Sequence, residues 1–347
     1  SDFRRRHDGT CTITGDVLYC SREKMRKLER KMNTAYSYEI QPLDEHSISI
    51  ERVYGTTPVV VIPEQIDGFT VKRIGAYCFS ESKHVPADAV TIGGVDSFMK
   101  ALCGNDIEEI SLPDSVEQIG NLAFYNCRKL RTLTMGRFLK ELGSDAFMNC
   151  RSLKRLVLRS SMEEASGVQL ILNQVRADLE VEFKEALFFY PEYYDSYEEI
   201  GPAHIFALNI AGEGFRARQC FHERMVDAAA YDMIFERICI EEKMWTAARM
   251  ALCRLAYPVE LKEEARERYL SYLKEHASEV CDVLIQKKDL ALLELICRLQ
   301  VMERSGITAL IEQAAEAGWA EGSVSLSGWQ QKYYKEEAAS SCYDIEW

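Results

Sequence analysis

Cys220-Phe221-His222, preceded by Arg216 and Arg218, holds the ingredients of nucleophilic chemistry. These are a thiol, an imidazole that could serve as base, and nearby positive charge that favours a thiolate. Two positions apart on a helix the two side chains do not face each other, so a structural cysteine beside a surface histidine is the expected reading. The flank "GEGFRARQC" offers two glycines and two arginines, a composition suited to an anion-binding loop. Ala217 stands where G-x-G-x-x-G needs its last glycine, so a loop joining two elements is expected. Glu198 and Glu199 in "PEYYDSYEE" are adjacent carboxylates. Glycosidic chemistry needs two carboxyls set across a cleft, which sequence neighbours seldom achieve, and a solvated helix start is expected instead. Six histidines form no H-x-x-x-H pair, and twelve cysteines form no CxxC pair. Zinc sites need ligands clustered at such spacings. The sequence therefore assigns no catalytic residue, metal or cofactor, and a thiol site at Cys220 and His222 stands as the enzyme alternative.

The chain has 347 residues, 47% of them apolar, enough for more than one core. Its net charge of −13 is uneven: residues 1–160 carry 23 basic and 21 acidic residues, a balance of +2, and the remainder stands at −15. An acidic half of that size repels phosphate backbones and anionic membrane surfaces, so no nucleic acid partner is expected. Arg4-Arg5-Arg6 and the stretch Arg22 to Lys31 run against this locally, but short charge runs usually make solvated faces. No run of eighteen apolar residues exists, and "SDFRRRHDGTCTITGDV" lacks the apolar core of a secretory signal. No membrane insertion is expected. The scattered cysteines suit a reduced, cytoplasmic protein; a removed signal would instead place it at the cell surface.

The positioning elements come from repetition. "IGNLAFYNCRKLRTL" returns as "LGSDAFMNCRSLKRL", with Asn126-Cys127-Arg128 answered by Asn149-Cys150-Arg151. Aligning the turns puts Ile107, Leu130 and Leu153 in one column, Ile110, Leu133 and Leu156 in the next, and Leu112, Met135 and Leu158 in a third. Self-similarity at a fixed period is the mark of a solenoid, whose units bury their apolar sides against neighbours. Each L-x-x-L-x-L segment alternates as a strand with one buried face. The Ala-Phe pairs drop phenylalanine inward, and the repeated cysteines read as small hydrophobes with asparagine satisfying turn amides. Upstream, Val60, Ile62, Ile74, Gly75 and Phe79 follow the same frame, with five extra residues around "IDGFT". "VDSFM" matches "SDAFM", which places Phe98 opposite Phe147 in a distorted unit. Downstream, "LKRLVL" begins a unit whose second half turns helical in "GVQLILNQVRADL" before "LEVEF", for about six β-segments in all.

These motifs, "ISLPDSVEQIGNLAFYNCRKL" and "LGSDAFMNCRSL" above all, resemble the BspA-type leucine-rich repeat family, also called the Treponema pallidum-type repeat. The resemblance covers residues 54–184 and weakens over 81–106, and "YSYEIQPLDEHSISIERVYG" looks like the β-hairpin that leads into such arrays. It implies a binding scaffold, often bacterial and often at the cell surface. The expected fold class is α+β: a leucine-rich repeat solenoid with a curved parallel sheet, followed by an all-α helical array. The expected organisation is an N-terminal helix and β-hairpin cap over 1–53, the solenoid over 54–184, and an acidic helical domain over 185–347.

In that second half, Leu261, Ala265, Tyr269, Leu273 and Ala277 recur at i, i+4, an apolar stripe opposite charge. Further helices are expected at 223–237, 244–256, 278–286, 290–299 and 306–317, as a C-terminal cap and second binding module. The outward strand residues Glu109, Ser111, Thr132, Thr134, Arg155, Val157 and Arg159 then line one stripe, expected to contact a protein partner. An exported adhesin binding host protein or glycan is the alternative that the resemblance adds.

Overall fold

The computed structural model describes residues 36–82, 84–93, 98–200 and 205–334. Two strands, β1 (Ser37–Pro42) and β2 (Ser47–Gly55), form the lead-in hairpin. Asp44 ties its turn, accepting the His46 N–H at 2.8 Å and the Ser47 hydroxyl at 2.6 Å, the local bonding that suits aspartate to turns. The N-terminal helix and the basic stretches Arg4 to Arg6 and Arg22 to Lys31 lie outside the described residues.

β3 (Val59–Val61) opens the coil. The extra residues of its turn make a small hairpin, β4 (Gln65–Ile66) with β5 (Phe69–Ile74), around Asp67 and Gly68. Both have positive φ, which an Asp-Gly two-residue turn requires. A segment carrying β6 (Val90–Ile92) and β7 (Lys100–Ala101) intervenes. Regular turns follow: β8 (Glu109–Ser111) with β9 (Gln118–Ile119), then β10 (Thr132–Met135) with β11 (Glu141–Leu142). In the next turn β12 (Arg155–Leu158) is followed by helix α1 (Val168–Leu172), and β13 (Leu179–Glu182) and β14 (Leu187–Tyr190) end the coil.

Two ladders result. In the first, β3, β8, β10, β12 and β13 run parallel, and β14 reverses direction against β13. Val60, Ile110, Leu133, Leu156 and Val181 stand in register along it and are buried, as strict alternation demands. The second ladder stacks β5, β9 and β11 and joins the lead-in hairpin. Gly143 lets its turns close up: a Cβ there would stand 2.3 Å from the Asn121 nitrogen.

Between the ladders runs a column of aromatic rings. Phe79 stacks on Phe124 at 5.2 Å and Phe124 on Phe147 at 4.9 Å, nearly parallel at 8° and 7°. These separations match the strand spacing of about 4.8 Å. The repeated cysteines are bound into this column: the Cys127 thiol donates to the Phe79 carbonyl at 3.3 Å, and Cys150 to that of Phe124 at 3.1 Å. The asparagines before them hold left-handed backbone, φ 64° and 65°, and bond each other, Asn149 Nδ2 to Asn126 Oδ1 at 2.9 Å. The turn amide expected of them is met by Asn121, whose Oδ1 accepts the Ser144 N–H at 2.8 Å.

Phe98 does not join the column. It is 86% exposed, and Val95 to Ser97 of "VDSFM" lie outside the described residues. The segment leaves the coil after Phe79; β6 pairs antiparallel with β1 and β7 with β2. It returns at Gly104, whose N–H donates to the Phe79 carbonyl at 2.9 Å. Cys127 N–H makes the equivalent bond to Phe124 at 3.0 Å, so the excursion is spliced out where a regular turn would have continued. Length match to "SDAFM" was a weaker constraint than this closure.

Beyond β14, β15 (Tyr194–Ile200) and β16 (Ile205–Ala211) form a hairpin, followed by α2 (Gly214–Ala217) and the short pair β17 (Phe221–His222) and β18 (Met225–Val226). Eight helices complete the described chain: α3 (Ala228–Met233), α4 (Phe235–Glu241), α5 (Met244–Ala256), α6 (Glu263–Glu275), α7 (Ala277–Lys287), α8 (Leu290–Arg298), α9 (Arg304–Glu316) and α10 (Ala320–Tyr333). The helix expected from residue 223 begins at 228, because residues 221–226 form the hairpin and Asp227 caps α3, accepting the Ala230 N–H at 2.9 Å. Of the expected stripe, Ala265, Tyr269, Leu273 and Ala277 are buried and Leu261, ahead of α6, is half-buried; Ala277 opens α7, because the chain turns at His276. α5 lies against β14, α8 packs on α5 and α10 on α8, so the helical layer continues the strand ladder. Arg254 and Asp232 are buried together as a two-pronged pair, Nε to Oδ1 at 2.8 Å and Nη2 to Oδ2 at 3.0 Å, with the Tyr269 hydroxyl donating to Asp232 at 2.8 Å.

The two phenylalanines separate the observed register from the expected one. Phe124→Ala should cost about 3–5 kcal/mol of stability, and Phe98→Ala less than about 0.5 kcal/mol, read by urea unfolding. Equal losses would contradict the spliced excursion.

Candidate functional site

The strand ladder turns one side chain inward and the next outward, so its outward residues form rows. Val59, Glu109, Thr132, Arg155 and Glu180 stand in register in one row, and Val61, Ser111, Thr134, Val157 and Glu182 in the next. All are at least partly exposed. Six of the seven residues expected from the sequence fall in these rows, and Arg159 follows the end of β12.

The arginines already have partners on this face. Arg155 pairs with Glu182 of β13. Arg159 reaches back past β10: its Nε donates to Asp114 Oδ1 at 2.7 Å, Nη1 donates to Ser111 Oγ at 3.1 Å, and Nη2 donates to the Leu112 carbonyl. Such partly exposed pairs contribute about 0–1 kcal/mol each, and mainly hold the side chains in place. Glu180 and Glu182 complete the rows but were not expected there. Their signal was the alternation of "LEVEF", in which Leu179, Val181 and Phe183 are buried. Arg249 of α5 pairs with Glu180, and Lys287 sits 4.1 Å over the ring of Trp245, one turn earlier on the same helix. No sequence pattern announces that juncture.

Cys220 and His222 are separated by exposure. Cys220 is 7% exposed, and its Sγ donates to the Arg216 carbonyl at 3.4 Å, whereas His222 is exposed in β17. Burial, then the charges of Asp227 and Asp232, push the thiol up to about 11. A nucleophile needs the opposite shift.

The arginines of "GEGFRARQC" bind the chain itself. Arg216 pairs with Glu213 at 3.2 Å. Arg218 is fully buried and donates to five carbonyls: Nε to Leu172 at 3.1 Å, Nη1 to Pro191 and to Gly214 at 2.9 Å, and Nη2 to Val175 at 3.0 Å and Ala177 at 2.9 Å. The Tyr193 ring lies 5.0 Å from the guanidinium. Burial lowers the Arg218 pKa to about 10, still cationic at neutral pH. Gly214 fits because a Cβ there would meet the Pro191 carbonyl at 2.0 Å. The motif is a clasp that ties the last turn of the coil to the exit of β14 and to α2, which its composition did not reveal.

Glu198 and Glu199 lie in β15, opposite Ala207 and Phe206, where a helix start was expected. Among the described residues no group of three or more His, Cys, Asp or Glu side chains is placed to hold a metal, and no helix is long and apolar enough to cross a membrane.

Arg218→Met should cost about 3–5 kcal/mol, because it leaves buried carbonyls without donors, and a thermal melt reads it. A shift within error would remove the clasp. The Cys220 thiol is raised from its ordinary 9 to about 11 in the folded state. The folded chain thus holds the proton that the unfolded chain releases, and this contribution to stability is full below pH 9 and lost as pH rises to about 11. Cys220→Ala should flatten that part of the stability curve, as measured by denaturant midpoints across the same range.

Residues 94–167 match the family model described as BspA type leucine rich repeat region, 6 copies. No curated protein matches the chain. Among solved structures, a leucine rich cell surface protein from Faecalibacterium prausnitzii is similar at 23% identity over 36% of this chain and 31% of that one, with a TM-score of 0.26. The T. pallidum leucine rich repeat protein is similar at 23% identity over 38% of this chain and 54% of that one, TM-score 0.24. A leucine-rich repeat protein from Bacteroides capillosus is similar at 20% identity over 42% and 94%, TM-score 0.29. The chain spans about a third of the first of these and about half of the second. The chain is thus similar to the BspA-type leucine-rich repeat region over residues 94–167.

Proposed function

We propose that the chain is a non-catalytic interaction scaffold that takes a folded protein partner on the outward rows of the strand ladder. The observation that carries this reading is the register itself, which sets Glu109, Thr132 and Arg155 side by side, with Ser111, Thr134 and Val157 in the adjoining row. Charges of both signs, fixed by Arg155–Glu182 and Arg159–Asp114, present a patterned polar face that favours one partner orientation over others. Few aromatic anchors stand on the strands, so tight binding draws on the adjoining helix, where Trp245 and Arg249 supply the residue types enriched at binding hot spots. The helical array is thereby a second part of one contact surface. All nine cysteines among the described residues are free, which fits work in a reducing, cytoplasmic setting.

Affinity capture from the native cell tests this with the intact chain and a triple variant, Thr132→Lys, Thr134→Lys and Arg155→Glu. These positions are on the surface, so the variant should melt close to the parent while its partner is lost from the capture. A folded variant that retains the same partner would move the contact surface elsewhere.

A further inference from the structure

The hairpin of β15 and β16 belongs to neither ladder and takes no part in the proposed partner face. Among the described residues each of its strands pairs with the other alone, so both outer edges stand open. A lone two-stranded hairpin is marginal in water, whereas three or more strands with an apolar face hold. Tyr197 and Leu208 stand opposite each other across this hairpin and are 70% and 51% exposed, so its apolar area faces solvent.

The two edges differ in what they admit. β15 reads "YDSYEEI", three acidic residues in seven, the kind of charge that keeps an open edge from pairing. β16 reads "IFALNIA", seven residues with no charge, proline or glycine, and nothing in it guards the edge. We infer that β16 is the edge through which two copies of this chain join, antiparallel across a two-fold axis at Leu208. A two-fold contact sets one strand against itself, so that strand must be complementary to its own reversal. β16 meets this condition: Leu208 comes opposite Leu208 of the second copy and Ala207 opposite Asn209, and no like charges meet. β15 fails it, because the same operation about Tyr197 sets Asp195 opposite Glu199. Pairing through β16 makes a four-stranded sheet in which Tyr197, Leu208, the second Leu208 and the second Tyr197 stand side by side on one face. A strand of another protein could take the same backbone bonds, but a second copy supplies the matching half of that row at a fixed register.

Sedimentation of the full chain up to about 200 µM tests this and should show a monomer–dimer equilibrium. Leu208→Lys sets two ammonium groups opposite each other and should weaken the dimer at least about tenfold, with a melt close to the parent's. Cysteine placement reads the axis. Leu208→Cys should give a covalent dimer under mild oxidation well above the parent's background, because opposite positions lie about 5 Å apart. Tyr197→Cys should not, since three strand spacings, about 14 Å, separate it from its own copy. The triple variant of the outward rows should dimerise as the parent does; loss of its dimer would place the contact on those rows and overturn the inference. A chain that stays monomeric throughout would leave the edge to a strand of a different protein and equally overturn it. So would a dimer untouched by Leu208→Lys, a series of larger assemblies, or equal crosslinking at both cysteines.

Discussion

The stacked phenylalanines set the constraint that the rest of the chain obeys. Rings at 5.2 and 4.9 Å can form a column only if each turn of backbone returns to the same place one strand spacing further along. The cysteine thiols and the left-handed asparagines enforce that return, one by bonding the previous turn's carbonyl, the other by bending the chain. Tyr77, Leu122 and Asp145 share a position in successive turns and all adopt positive φ, a local cost that neighbouring turns offset. The repeated cysteine is thus a filler with a directional bond. It is hidden from solvent, and the neighbouring Cys150 thiol, then burial, hold the Cys127 thiol well above the ordinary range.

The same closure explains how the coil tolerates an insertion. The segment from Glu81 to Cys103 can be long because it adds nothing to the column; it needs only to leave at Phe79 and come back at Gly104. Its strands are used at the start of the coil instead, where they pair with both arms of the lead-in hairpin and widen the second sheet. At the other end the problem is reversed. β14 runs antiparallel and stops the ladder, and the exposed end of the core is covered by α5. Arg218 joins the parts by gathering carbonyls from α1's end, from the strand exit at Pro191 and from α2. A guanidinium with five donors can satisfy a cluster of carbonyls that no apolar side chain could.

These two ends shape what the surface offers. Because α5 packs on β14, the outward row meets it through the pair of Glu180 with Arg249, one turn from Trp245. In the proposed contact the polar strands would contribute orientation and the helix aromatic area. Around the coil, Glu51 is buried beside Gly75 and pairs with Arg73 across β2 and β5, which ties the lead-in hairpin to the second ladder.

Much of this was legible in the residues. Period, alternation and the repeated Ala-Phe and Asn-Cys pairs determined the coil, its inward columns and its outward rows, because each depends on spacing within one turn and is repeated by the next. The i, i+4 stripe likewise determined the buried side of α6 at Ala265, Tyr269 and Leu273, but not the break that puts Ala277 in α7. Tertiary structure alone decided that Phe98 leaves the column, that "PEYYDSYEE" pairs as a strand, that Cys220 and His222 part in exposure, and that Arg218 is a clasp. Each of those depends on which distant backbone supplies a hydrogen bond, and a linear pattern carries no record of partners that are brought together only when the chain closes.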